Sequence, residues 1–115
     1  MKAKIKVFKA IADESRLRIL GMLDGKTLCV CEIAEVLGLA QSTVSRHLKV
    51  LEESGLVHRE KEGLWVAYSL PSAPLGSLQE GILDLVRELS AGDPLVSRDR
   101  RAAEQVDREV ICRRV

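Results

Sequence analysis

The sequence predicts a mainly α-helical domain with one small β-hairpin, arranged as a winged helix-turn-helix that pairs as a symmetric dimer. Three observations predict it. Two helical patterns follow one another across a tight glycine-containing link, and two alternating runs suited to a hairpin come directly after them. The helices also carry more large apolar residues than one small core absorbs.

A chain of 115 residues is one domain's worth. Its three aromatic residues, Phe8, Trp65 and Tyr68, leave the core to Leu, Ile, Val and Ala. With 18 basic and 17 acidic side chains there is no global field to gather polyanions, so charge has to be argued patch by patch. Lys2, Lys4, Lys6 and Lys9 interrupt the only N-terminal apolar stretch, and no run approaches the ~18 apolar residues of a membrane helix. These features lead us to expect a soluble, cytoplasmic protein with no membrane partner, in a compartment that keeps thiols reduced. The odd number of cysteines, three, argues against a purely disulfide framework.

The elements follow in order. Residues 4–12 read as a short helix with two apolar sides, Ile5–Phe8–Ala12 and Val7–Ile11. Asp13 is placed to cap a second helix, ESRLRILGML, with Leu17 and Leu20 inward. After the turn Asp24-Gly25-Lys26, CEIAEVLGL forms a short helix ending at Gly38, and AQSTVSRHLKVLEESG a longer one ending at Gly55. The runs LVHRE and LWVAYSL close a hairpin around KEG, and Pro71 and Pro74 end it. Leu75, Leu78, Ile82, Leu85, Val86 and Leu89 recur at helical spacing in a fifth helix. Residues 1–92 are therefore assigned to the winged helix-turn-helix DNA-binding and dimerisation domain. Residues 93–115 form a C-terminal tail, helical through Ala103, Val106 and Val110, that carries Cys112.

The longer helix of the pair is the test of function. On a 3.6-residue wheel Val44, Leu48 and Leu51 share one side, while Ser42, Ser45, Arg46 and Lys49 share the other, with Glu53 one turn on. The face near the helix start is polar, small and basic, which suits a major groove. Gln41 can donate to and accept from a base edge; Arg46 suits a guanine or a phosphate, and Lys49 a phosphate. Ser42 and Thr43 sit where a helix N-terminus meets a phosphate. His47 lies between the core side and the polar side and stands as an edge candidate. In the wing, Arg59 and Lys61 are candidate backbone contacts, with Glu60 and Glu62 beside them opposing the attraction.

The stretches ADESRLRIL, LCVCEIAEVLGLAQSTVSRHLKVLEESGLV and the wing ending in VAYSL resemble the ArsR/SmtB family of metal-responsive transcriptional repressors, over roughly residues 5–90. The resemblance implies a homodimer joined through its first and fifth helices. It also implies a protein that binds double-stranded operator DNA when effector-free and releases it when metal binds.

Cys29 and Cys31 carry the effector chemistry. Mid-helix residues two apart point about 200° away from each other, so two such thiolates cannot hold one ion. In an extended segment they share a face. Chelation therefore requires the helix to start at or after Cys31, or its first turn to distort. A helix N-terminus lowers a thiol's pKa, and paired thiolates select soft ions. The competing reading is small apolar packing at a helix start.

The CVC pair resembles the sensor motif of the family's arsenical and cadmium/lead branches, with departures. The arsenical motif has a third cysteine where this chain has Ala34; the cadmium type has cysteines within a stretch that here, over residues 1–28, holds none. The zinc site on helix five uses His, and here only Asp84 and Glu88 are present. Cys112 is then the candidate third ligand, and three thiolates suit trivalent arsenic or antimony without a fourth donor. The expected effector is As(III), or Sb(III), with no catalytic cofactor and no organic substrate. Cadmium, lead or zinc, or a switch by thiol oxidation between Cys112 and Cys29 or Cys31, are the alternatives. A thiol enzyme would need a base beside the nucleophile, and both histidines, His47 and His58, fall in the DNA-facing region, so no enzyme activity is expected.

Overall fold

A computed structural model of the chain describes residues 1–72 and 76–106. It contains α1 (Lys2–Ile11), α2 (Glu14–Leu23), β1 (Leu28–Cys29), α3 (Val30–Leu37), α4 (Gln41–Glu53), β2 (His58–Glu62), β3 (Trp65–Ser69), α5 (Ser77–Ser90) and α6 (Pro94–Gln105). The helix-turn-helix is α3 and α4, and the wing is β2 and β3. The local signals act where the sequence places them. Asp13 caps α2 by accepting from the Arg16 N–H at 3.0 Å. Gly38 ends α3 in the left-handed region at φ 68, where any Cβ would be strained.

The hairpin is part of a larger sheet. Leu28 and Cys29 pair antiparallel with Tyr68 and Ala67, giving three strands in the order β1-β3-β2. A two-residue strand has no alternation to read, which is why the sequence shows only the hairpin. In consequence the cysteine segment is extended at Leu28–Cys29 and becomes helical one residue later.

The core gathers Ile19, Leu20, Met22 and Leu23 from α2, Ile33 from α3, Val44, Leu48 and Leu51 from α4, and Ile82, Leu83 and Val86 from α5. Leu17, expected inward, is only half-buried because the inward side of α2 centres on Ile19 to Leu23. The two apolar sides of α1 separate: Val7 is buried and Ile11 half-buried, while Ile5, Phe8 and Ala12 stay exposed; Ala10, on neither side as read, is buried as well. The α5 stripe also splits, Ile82 and Val86 going inward and Leu85 and Leu89 outward. Leu75 and Pro74 lie outside the described residues.

The C-terminal helix joins this same core. Ala103 is buried within it, and Val96 packs so close to α2 that a Cβ on Gly21 would stand 2.8 Å from its Cγ1. Arg18 on α2 donates twice to the buried Asp99 carboxylate, from Nε at 2.8 Å and Nη2 at 2.9 Å. The inward positions are Val96, Asp99 and Ala103. Of the residues read as a stripe, Val106 is half-buried and Val110 lies outside the described residues. No helix among the described residues is long and apolar enough to cross a membrane.

A candidate DNA-reading face and the cysteine pair beside it

The buried side of α4 is Val44, Leu48 and Leu51, each with no measurable exposure. That anchoring turns Ser42, Ser45, Arg46 and Lys49 to solvent, with Gln41 and Thr43 half-buried at the helix start. Arg46 reaches back to the Thr43 hydroxyl at 3.5 Å. In β2 every side chain is exposed, and successive residues alternate between faces. Arg59 and Lys61 therefore share one face of the wing, while Glu60 and Glu62 take the other. The alternation separates the acids from the bases that the sequence sets side by side.

His47 is turned toward α2. Its Nδ1 accepts from Arg16 Nη1 at 3.1 Å, which leaves Nε2 to carry the proton of the neutral ring. Arg16 also donates from Nε to the Ala10 carbonyl at 2.6 Å and from Nη2 to the Lys9 carbonyl at 3.2 Å. One guanidinium thus joins the last turn of α1 to the middle of α4. No sequence pattern marks this tie, because its partners are 31 residues apart.

At the entrance of α3 the geometry differs from the condition set above. The helix starts at Val30, not at or after Cys31, and Cys29 is its N-cap residue with extended φ −91 and ψ 169. Cys29 and Glu32 form a reciprocal capping box: the Cys29 side chain accepts from the Glu32 N–H, and Glu32 Oε1 accepts from the Cys29 N–H at 2.9 Å. An N-cap side chain folds back over the first turn instead of radiating from it. This brings Cys29 Sγ to 3.0 Å from Cys31 Sγ without any distortion of the helix. The C-x-x-E spacing is the legible signal, a capping box with cysteine in the place of serine.

Both cysteines are buried, Cys29 at 2 % and Cys31 at 6 % relative exposure. The 3.0 Å separation is a non-bonded contact, well beyond an S–S bond of about 2.05 Å. Cys31 is disulfide-bonded in this structure. Burial pushes the Cys29 thiol pKa up, and the Glu32 carboxylate adds to the rise, while the Glu32 N–H opposes it. The expected lowering by the helix terminus is therefore outweighed by desolvation. The pair borders a cavity of about 320 Å³ that is also lined by Gln41, Leu64, Trp65 and Val66. The first residue of α4 and the tip of the wing therefore adjoin the thiol site.

Cys112 lies outside the described residues. Among the described residues no three His, Cys, Asp or Glu side chains converge as a metal site. Cys29 and Cys31 fit two of the donors of a soft ion: with metal–sulfur bonds of about 2.3 Å, two sulfurs on one ion lie within roughly 4 Å of each other.

Residues 13–59 match the family described as bacterial regulatory protein, arsR family. The chain is 39% identical over 89 residues to an arsenical resistance operon repressor of Bacillus subtilis, covering 75% of this chain and 84% of that protein. It is 37% identical over 94 residues to the arsenic resistance transcriptional regulator ArsR1 of Pseudomonas putida, covering 77% and 73%. Among solved structures it is similar to the homodimeric winged helix-turn-helix DNA-binding domain Mb0332 of Mycobacterium bovis. There the TM-score is 0.65 at 28% identity, with 78% of this chain and 77% of that chain covered.

Proposed function

The chain belongs to the arsR family of bacterial regulatory proteins, and on that premise we propose that it is a transcriptional repressor released from operator DNA by trivalent arsenic. The observation that carries the reading is the Cys29–Cys31 sulfur pair, 3.0 Å apart at the entrance of the helix-turn-helix. Related proteins are named for arsenical resistance, which agrees with a soft, thiol-seeking effector.

On this reading Gln41, Ser42, Thr43, Ser45, Arg46 and Lys49 face the major groove, with His47 at its edge and Arg59 and Lys61 on the backbone. A homodimer sets two such faces side by side. Ile5 and Phe8 on α1, with Leu85 and Leu89 on α5, are the exposed apolar residues such an interface would cover.

Arsenous acid exchanges hydroxyls for thiolates, so three thiols and one acid give a tris-thiolate and three waters. Cys29 and Cys31 supply two sulfurs once Cys31 is reduced, and Cys112 is the third. Helix α6 packs on α3 and ends at Gln105. The seven residues from there to Cys112 reach at most about 25 Å. Ligation takes the Cys29 sulfur from its cap on the Glu32 N–H, a contact worth about 0.5–2 kcal/mol to the helix. The entrance of α3 then shifts against Gln41 and Trp65, which share its cavity. By linkage, DNA weakens effector binding by the factor that the effector weakens DNA binding; about 3 kcal/mol of coupling is roughly a hundredfold.

The test is an anisotropy titration of DNA-bound protein, thiols kept reduced, with arsenite, cadmium and zinc. Release by arsenite at the lowest concentration supports the proposal; release by cadmium or zinc alone reassigns the ion. A second reading, a repressor switched by thiol oxidation, is favoured by the disulfide state of Cys31. In that case peroxide takes two electrons and two protons from a pair of thiols and becomes water. Release only by peroxide would select it.

A further inference from the structure

We propose that the lysine row of α1 is a second DNA-contact surface, gripping the phosphate backbone beside the stretch read by α4. The proposal rests on α4 being the major-groove helix. Lys2, Lys6 and Lys9 are four and three residues apart, so they stack along one side of α1. All three are exposed, and the helix contains no acidic residue. Around the helix the row falls between the buried seam of Val7 and Ala10 and the exposed Ile5. That position puts it against α4, and the lysines share a groove of about 430 Å³ with Val50 and Arg16.

One contact ties the row to the DNA side. Lys6 Nζ lies 3.3 Å from Glu53 Oε2. Glu53 shares its side of the α4 wheel with Ser42, Ser45, Arg46 and Lys49, so the row prolongs the DNA-facing side past the end of α4. The three lysines divide the work. Lys6 cancels the acid that would repel a phosphate, while Lys2 and Lys9 flank it as further cations. A close row of ammonium groups continuous with a base-reading helix matches a duplex backbone, whose charge is regular and independent of sequence.

The test uses the full chain and a duplex selected by the wild-type protein from a random-sequence pool. Affinity is measured by anisotropy across a salt series. Lys2→Gln with Lys9→Gln should flatten the slope of log affinity against log salt by roughly one per lysine in each half-site, with melting temperature and sequence preference unchanged. Lys6→Gln should weaken binding, and adding Glu53→Gln should restore it. Trimming the duplex flanks should weaken the wild type but not the double lysine variant. An unchanged slope in the double variant, on a duplex that Arg46→Ala binds less well, overturns the proposal and leaves the row a solvated face. If Arg46→Ala has no effect either, the reading of α4 itself falls, and this proposal with it.

Discussion

Cys29 and Cys31 bring their sulfurs to 3.0 Å although one is outside α3 and the other is in its first turn. The relationship depends on β1, which holds Cys29 extended against Ala67, and on Glu32, which closes the cap. The sulfur pair and the start of the helix are thus the same few atoms.

The cap and the sensor separate by mutation. Cys29→Ser keeps an N-cap oxygen, so stability should change little while arsenite release is lost. Cys29→Ala should lose both, with stability falling by about 0.5–2 kcal/mol in a denaturant melt. Equal stability in the two variants would remove the capping role.

Glu32→Ala leaves the buried Cys29 N–H without its acceptor and should cost about 1–3 kcal/mol. Glu32→Gln keeps an oxygen at that place and should recover most of the loss. A thermal or denaturant comparison of the two checks this.

The raised pKa of Cys29 sets a pH dependence. Its thiol is an acid held neutral in the fold, so the unfolded chain loses the proton first as pH rises. Stability from this group is full at neutral pH and falls once pH passes the unfolded thiol's range, near 8.5. Cadmium, which binds thiolate, must displace that proton. Its affinity should therefore rise with pH toward the alkaline range, by up to about tenfold per unit for each thiol proton released. Calorimetry in buffers of different ionisation heat counts the protons; no release near neutral pH would contradict it.

Helix α6 is held by Arg18 and Asp99 and by close packing at Gly21. Asp99→Ala leaves a guanidinium that is 21% exposed without its partner, so the loss should sit at the lower end of breaking a buried pair, about 3 kcal/mol. Gly21→Ala drives a methyl onto Val96 and should cost about 1–3 kcal/mol, relieved by adding Val96→Ala. Equilibrium unfolding of the single and double variants reads both effects.

The Arg16–His47 bond makes a different prediction. His47→Asn retains an acceptor at the Nδ1 position, while His47→Ala does not. If the ring serves α4 through Arg16, Asn should preserve DNA affinity better than Ala. If its Nε2 touches a base, both should fail alike while the melting temperature of the Asn variant holds.

The frame is legible because its signals are local and periodic: the Asp13 cap, the Gly38 and Gly55 stops, the wheel of α4 and the alternation of the wing. The two-sided pattern of α1 and the surplus on α5 likewise announce the faces left exposed at Ile5, Phe8, Leu85 and Leu89. What escapes the sequence is long-range or too short to be periodic. Leu28–Cys29 is a strand only because Tyr68 and Ala67 lie beside it. Asp99 reads as surface charge until Arg18, 81 residues away, is seen to pair with it. For the cysteines, wheel geometry gives the right obstacle but not its solution, since an N-cap side chain obeys no helical period.

The most direct measurement is arsenic X-ray absorption on reduced protein loaded with one equivalent of arsenite per chain, for wild type, Cys29→Ser, Cys31→Ser and Cys112→Ser. The account predicts three sulfur neighbours in wild type and fewer in every variant, with operator release lost in the first two. A shell of oxygen neighbours in wild type, or full sulfur coordination and release in both Cys29→Ser and Cys31→Ser, would contradict it.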